Sequence, residues 1–150
     1  MQRNIVPDIV SGQQTLALVP PTATVREAVD LMAKRHIGAV MVVSGSNRLE
    51  GIFTERDVLM RVVARGRDPG TTRISEVMTA NPETIAPDLL ALDALQRMKT
   101  KGFRHLPVVD DGKLVGIVSI RDLYDAVTHQ LEEDIQEREA FIFGTAPQVA

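Results

Sequence analysis

The stretch Phe103-Arg104-His105-Leu106-Pro107-Val108-Val109, followed by Leu114-Val115-Gly116-Ile117-Val118-Ser119-Ile120-Arg121-Asp122-Leu123-Tyr124, decides the fold because an earlier stretch matches it. The earlier copy reads Ile37-Gly38-Ala39-Val40-Met41-Val42-Val43, then Leu49-Glu50-Gly51-Ile52-Phe53-Thr54-Glu55-Arg56-Asp57-Val58-Leu59. The match extends upstream: Ala28 corresponds to Ala94 and Met32 to Met98, an offset of 66, while Gly51–Gly116 and Asp57–Asp122 keep an offset of 65. The missing residue falls where Ser44-Gly45-Ser46-Asn47-Arg48 faces Asp110-Asp111-Gly112-Lys113. Turns absorb such length changes. The chain is therefore a duplication, and its repeat unit is the thing to read.

Each unit has the same pattern. Apolar residues at 25, 28, 29 and 32, and at 92, 94, 95 and 98, predict amphipathic helices starting at Val25 and Ala91. Pro21 and Pro87 stand just upstream, and Thr24 suits an N-cap. Two valine-rich runs separated by a Gly- and Asn- or Asp-containing turn predict a hairpin. A second helix follows, over Asp57–Arg65 in one unit and Asp122–His129 in the other. Short strands are expected before each first helix, over Thr15–Val19 and Glu83–Ile85. The fold class is α/β (α+β), two tandem βαββα motifs with a C-terminal helical extension. The units fall at 1–66 and 67–128, with a tail at 129–150 whose Leu131, Ile135, Arg138 and Ile142 share one helical stripe. The polar Gly66–Thr72 segment is a short connection rather than a tether.

Composition narrows the functions. The 150 residues are 44% hydrophobic, with 17 basic against 20 acidic side chains and a formal net charge of −3. Such a balance offers no broad field for nucleic acid, and four Phe with one Tyr offer few stacking platforms. Without cysteine there is no disulfide, thiolate zinc site or cysteine nucleophile. No apolar run approaches the ~18 residues of a membrane span, and the N-terminus lacks a signal-like apolar segment. A cytoplasmic protein that binds neither membrane nor nucleic acid is expected.

The quoted repeats, Phe103–Val109 with Gly116–Asp122 and Ile37–Val43 with Gly51–Asp57, resemble the CBS domains named for cystathionine β-synthase, which pair as Bateman modules. Met41 stands where the family pattern has proline. The resemblance covers roughly residues 8–128. It implies two βαββα units related by a pseudo-two-fold axis, with three-stranded sheets packed together. It also implies two clefts that in many members hold AMP, ADP, ATP, NAD(H) or S-adenosylmethionine.

Thr54-x-x-Asp57 and Ser119-x-x-Asp122 carry the chemistry. A carboxylate at a strand–helix junction can accept both ribose hydroxyls, and the hydroxyl three residues earlier, with the helix-start N–H groups, suits a phosphate. The same pattern is also an ordinary helix cap, and its recurrence does not separate the two readings. Arg56, Arg121 and Arg104 add donors suited to phosphate. His105 accompanies two other histidines without a ligand set at metal spacing, so contact with a phosphate or backbone cap is expected and a metal is not. By resemblance, one cleft combines Arg104, Ser119, Arg121 and Asp122 with adenine near Ile37, Gly38 and Ala39 and near Ile9 and Val10. The other combines Thr54, Arg56 and Asp57 with adenine near Met78, Thr79, Phe103, Arg104 and His105. The Asp122 cleft is favoured for tight binding, and AMP as its ligand.

These residues lead to a regulatory adenine-nucleotide sensor acting on a partner protein by conformational change. The alternative is an interaction or oligomerisation module with vestigial pockets. No nucleophile–base pair, phosphate-binding glycine loop or metal cluster supports an enzyme. A homodimer is expected through Val58, Leu59, Val62, Val63, Leu123 and Val127, and Phe141-Ile142-Phe143 forms an apolar cluster in the tail.

Overall fold

The computed structural model describes residues 3–10 and 15–142, so Phe143 lies outside the described residues. In the first unit, Thr24 caps helix α1 (Val25–Arg35): its hydroxyl accepts from Glu27 N–H, while the Glu27 side chain accepts from Thr24 N–H. His36 ends the helix in the left-handed region at φ 54°. The chain then forms the hairpin β2 (Ala39–Ser44) and β3 (Arg48–Thr54), its turn made possible by positive φ at Gly45 and Asn47. Strand β1 (Leu18–Val19) pairs parallel to β2. Helix α2 (Glu55–Asp57) continues with π geometry over Val58–Val63.

A short helix, α3 (Ile74–Val77), and strand β4 (Thr79–Ala80) lead into the second unit, which holds α4 (Ala91–Lys101), β5 (His105–Asp110), β6 (Lys113–Ser119) and α5 (Ile120–Ile142). Asp111 and Gly112, both at positive φ, close the second hairpin. Both hairpins shift register at the same place, after Val42 and after Val108.

Several elements differ from the sequence expectation. The second helix of each unit begins at the residue after Thr54 or Ser119, because those hydroxyls serve as caps. The expected helical extension continues the second helix of its unit, so α5 is a single helix of 23 residues. Only Leu18 and Val19 of the expected Thr15–Val19 strand are regular. Glu83–Ile85 does not form a strand: Ile85 alone bridges Val108, donating to Pro107 O and accepting from Val109 N–H. The two sheets are consequently unequal, with order β1-β2-β3-β4 in one and β5-β6 in the other, rather than three strands each. Leu92 is exposed, and Ala91 takes its place on the buried face of α4.

Side-chain alternation along the hairpins sorts three apolar clusters. Val40, Val42 and Phe53 face α1, and Leu106, Val108 and Val118 face α4 and α5. On the opposite faces Ala39, Met41, Ile52 and Leu114 meet, joined by Val109 and Ile117, and this layer packs the two sheets together. Asn47 crosses the same interface, donating to Leu114 O at 2.9 Å.

The N-terminal arm, grouped with the first unit from sequence, packs in the second core. Ile5 is fully buried among Ile85, Ala94, Leu106 and Leu123. Its N–H donates to Leu89 O, Val6 N–H to Pro87 O, and Ala91 N–H to Arg3 O. The segment after residue 66 reciprocates: Ile74 is buried in the first core, Ile74 N–H donates to Ala23 O, and Val25 N–H donates to Thr72 O. The bridges Asn4↔Leu90 and Thr24↔Arg73 are the matching pair. Each unit is completed by the stretch preceding the other.

Candidate functional site: two clefts between the units

Packing two twisted hairpins face to face leaves a groove on either side of the shared layer. Backbone pairing determines which residues reach each groove. Glu55 N–H donates to Gly38 O at 2.9 Å, and Ile120 N–H donates to Arg104 O at 2.8 Å, so each second helix starts against the strand that follows its own first helix.

The first cleft has a volume of about 870 Å³ and contains Arg104, His105, Ser119, Arg121 and Asp122 from the second unit. Across from them stand Ile37, Gly38 and Ala39, together with Thr15, Leu16 and Ala17. The second cleft, about 670 Å³, is lined by Thr54, Arg56 and Asp57 from the first unit and by Thr79, Phe103, Arg104 and His105. Three expected residues lie elsewhere. Ile9 packs against the second core and Val10 is buried in it, because the arm crosses to that core; Leu16 and Ala17 occupy the position expected for them. Met78 turns inward against the first core and sits over Gly51, where an added Cβ would collide with its sulfur and lie 2.9 Å from Thr79 O.

Glu55 is a cleft residue that the sequence reading did not single out. It lines both clefts, as do Arg104 and His105. Its carboxylate lies against Gly38: a Cβ there would be 3.3 Å from Glu55 Cδ. The signal was available in the repeat, since Glu55 aligns with Ile120 and Gly38 with Arg104, chemically unlike pairs close to the matched Thr54–Ser119 and Asp57–Asp122. Burial lowers the pKa of His105 below its ordinary 6.5; Arg104 pushes the same way, while Glu55 and Asp122 oppose. A neutral imidazole in the wall between the clefts follows at neutral pH.

The two acidic residues are not equivalent. Asp57 Oδ2 accepts from Thr54 N–H at 3.0 Å and from the Thr54 hydroxyl at 3.2 Å. Its Oδ1 is 3.5 Å from Arg61 Nε, and Arg61 also donates to the carbonyls of Val77 and Met78. In the second unit, Asp122 Oδ2 accepts from Ser119 N–H at 3.1 Å, and Ser119 Oγ accepts from Asp122 N–H at 3.2 Å. Ala126 stands where the first unit has Arg61, so among the described residues Asp122 Oδ1 has no partner. The cap and the open carboxylate oxygen coexist in one side chain: one oxygen orders the helix start and the other is available to a ligand.

A duplicated βαββα fold with two clefts between its units defines a class of tandem paired modules. A model of the CBS domain family matches residues 1–64 and 74–129, and the chain belongs to that family. It is 42% identical over 108 residues to the CBS domain-containing protein YhcV of Bacillus subtilis, covering 72% of this chain and 76% of that one. A CBS domain-containing protein of Arabidopsis thaliana is 43% identical over 111 residues, which span 73% of this chain but only 20% of that larger protein. Among solved structures, a CBS-domain containing protein from Agrobacterium tumefaciens superposes with a TM-score of 0.75 at 31% identity, covering 81% of this chain and 98% of that one. A CBS domain protein from Pyrobaculum aerophilum, solved as a complex with AMP, superposes with a TM-score of 0.69 at 28% identity over 77% of this chain and 94% of that one.

Proposed function

We propose that the chain is a cytoplasmic regulatory module, not an enzyme, that binds an adenine nucleotide, with AMP favoured, in the Asp122 cleft and passes the resulting conformational change to a partner protein. The observation that carries this reading is Asp122, whose Oδ1 is left unpartnered by the cap, in the lining of a cleft of about 870 Å³ that also holds Gly38 and Arg121. In this reading Asp122 accepts the ribose hydroxyls, and Ser119, Arg121 and Arg104 hold the phosphate. Ile37, Gly38 and Ala39 border the base, with Leu16 and Ala17 beside them. The Asp57 cleft, with Thr54, Arg56, Thr79, Phe103 and His105, is the weaker site, because Arg61 already engages its carboxylate. The AMP complex of the Pyrobaculum relative supports the ligand class.

Isothermal titration of nucleotide-free protein with AMP, ATP, NADH and S-adenosylmethionine tests the proposal. Saturable binding of AMP, stronger than that of the others, is the expected result. Absence of binding by all four would leave the second reading, an interaction module with vestigial clefts. That reading draws on the exposed Leu59, Met60 and Val63. Self-association through this face is part of the proposal, although two of the expected contacts do not contribute: Val62 and Leu123 are fully buried in their own cores.

A further inference from the structure

The fold alone does not account for Glu55. An acid in a first helical turn suits the helix dipole, yet Ile120 begins the equivalent helix without one. The start itself is secured by backbone, through the matching bonds to Gly38 O and Arg104 O. The Glu55 side chain is exposed, and among the described residues its carboxylate has no hydrogen-bond or ion-pair partner. The other acidic groups of the two clefts are all engaged. Asp57 is held by Thr54 and Arg61, Asp122 accepts from Ser119 N–H, and Glu83 pairs with Lys101 at 2.9 Å.

Its position gives Glu55 reach over the phosphate end of the Asp122 cleft. It shares the wall between the clefts with Arg104 and His105. Burial lowers the His105 pKa, and among the charges that act on the imidazole Glu55 comes first, ahead of Arg104 and Asp122. Arg104 and Arg121 supply the guanidinium groups of this cleft, and no other lysine or arginine lines it among the described residues. With Asp122 given to the ribose, these two cations face a monophosphate of about two negative charges. Each further phosphate adds charge that no remaining cation offsets and that the Glu55 carboxylate repels.

We propose that Glu55 limits phosphate charge in the Asp122 cleft, selecting a nucleoside monophosphate over the di- and triphosphate by like-charge repulsion. The assignment rests on the nucleotide reading above and adds to it the residue that discriminates between phosphate lengths.

Isothermal titration of the nucleotide-free chain with AMP and with ATP provides the test, in EDTA so that no divalent cation masks phosphate charge. Wild type is compared with Glu55→Gln and with Glu139→Gln. Wild type is expected to bind AMP more tightly than ATP. Glu55→Gln keeps nearly the same shape without the charge, and is expected to narrow that preference by about tenfold, chiefly through tighter ATP binding. Glu139→Gln makes the same change in net charge near the end of α5, outside both cleft linings, and is expected to leave the preference intact. A preference unchanged in Glu55→Gln, one narrowed equally in Glu139→Gln, or a wild type that binds ATP as tightly as AMP would overturn the assignment while AMP binding stood. Absence of AMP binding in wild type would overturn the nucleotide reading itself, and the Glu55 assignment with it.

Discussion

Asp122 has two roles in this account, and Asp122→Ala separates them. The substitution removes the oxygen that accepts from Ser119 N–H, half of the cap on α5. Loss of such a cap costs about 1 kcal/mol. For a chain of this size that lowers the melting temperature by about 2–4 °C without ligand. The ligand effect is larger. AMP at a hundred times its dissociation constant stabilises the wild-type chain by about 2.7 kcal/mol. Two hydrogen bonds from a ribose diol to a carboxylate, at roughly 1.5–3 kcal/mol each, account for at least a hundredfold in affinity. At the same AMP concentration the variant is then left with about 0.4 kcal/mol of stabilisation or less. Differential scanning fluorimetry with and without AMP measures both effects. Thr24→Ala is the control, because it removes a capping bond of α1 away from the clefts and should retain the full AMP response. An AMP-induced shift equal in Asp122→Ala and wild type would refute the ribose assignment. A shift lost equally in Thr24→Ala would show that the response reports cap stability instead.

Three further outcomes follow from the geometry. Ile5→Ala removes a fully buried side chain from the second core and should lower unfolding free energy by about 2–5 kcal/mol in urea titration; an effect below about 0.5 kcal/mol would show that the arm does not belong to that core. Gly51→Ala places a methyl group against Met78 and Thr79 O, so urea denaturation should show a loss of about 1–3 kcal/mol, and an unchanged midpoint would contradict the packing. Because burial lowers the folded-state pKa of His105, the unfolded chain takes up the proton first as pH falls. Stability should therefore decline as pH drops below about 6.5 and on toward the folded pKa, and His105→Gln should flatten that part of the profile. An identical slope in wild type and variant would remove His105 as the cause.

The repeat made most of the fold legible because its signals are local. Capping by Thr24, helix starts at Val25 and Ala91, and turn residues at Gly45, Asn47, Asp111 and Gly112 depend on neighbours close in sequence. What stayed hidden depends on distant partners. The crossing of Ile5 into the second core rests on Leu89 and Pro87, more than eighty residues away, and no periodicity in a ten-residue arm announces it. Ile9 and Val10 were placed in a cleft for that reason. The unequal sheets have a similar origin, since Thr79–Ala80 is too short for a strand pattern and pairs only because β3 presents an edge there. Within the site, cap and ligand readings of Thr54-x-x-Asp57 and Ser119-x-x-Asp122 were indistinguishable from sequence. Side-chain geometry shows the capping bonds in both copies and also a difference between them, which comes from Arg61 and its counterpart Ala126.

The crossed arms constrain how this chain can be divided. A cut in the loop near Gly66 would not release two independent halves. The first fragment would retain Ile5 without the pocket that buries it and would lose Ile74, and the second would be left with the reverse deficit. Each fragment could satisfy its core only by clasping the other, or by trading arms with another copy of itself. The protein is thus a swapped pair whose partners happen to be covalently joined, and its two clefts inherit a fixed relative geometry from that clasp.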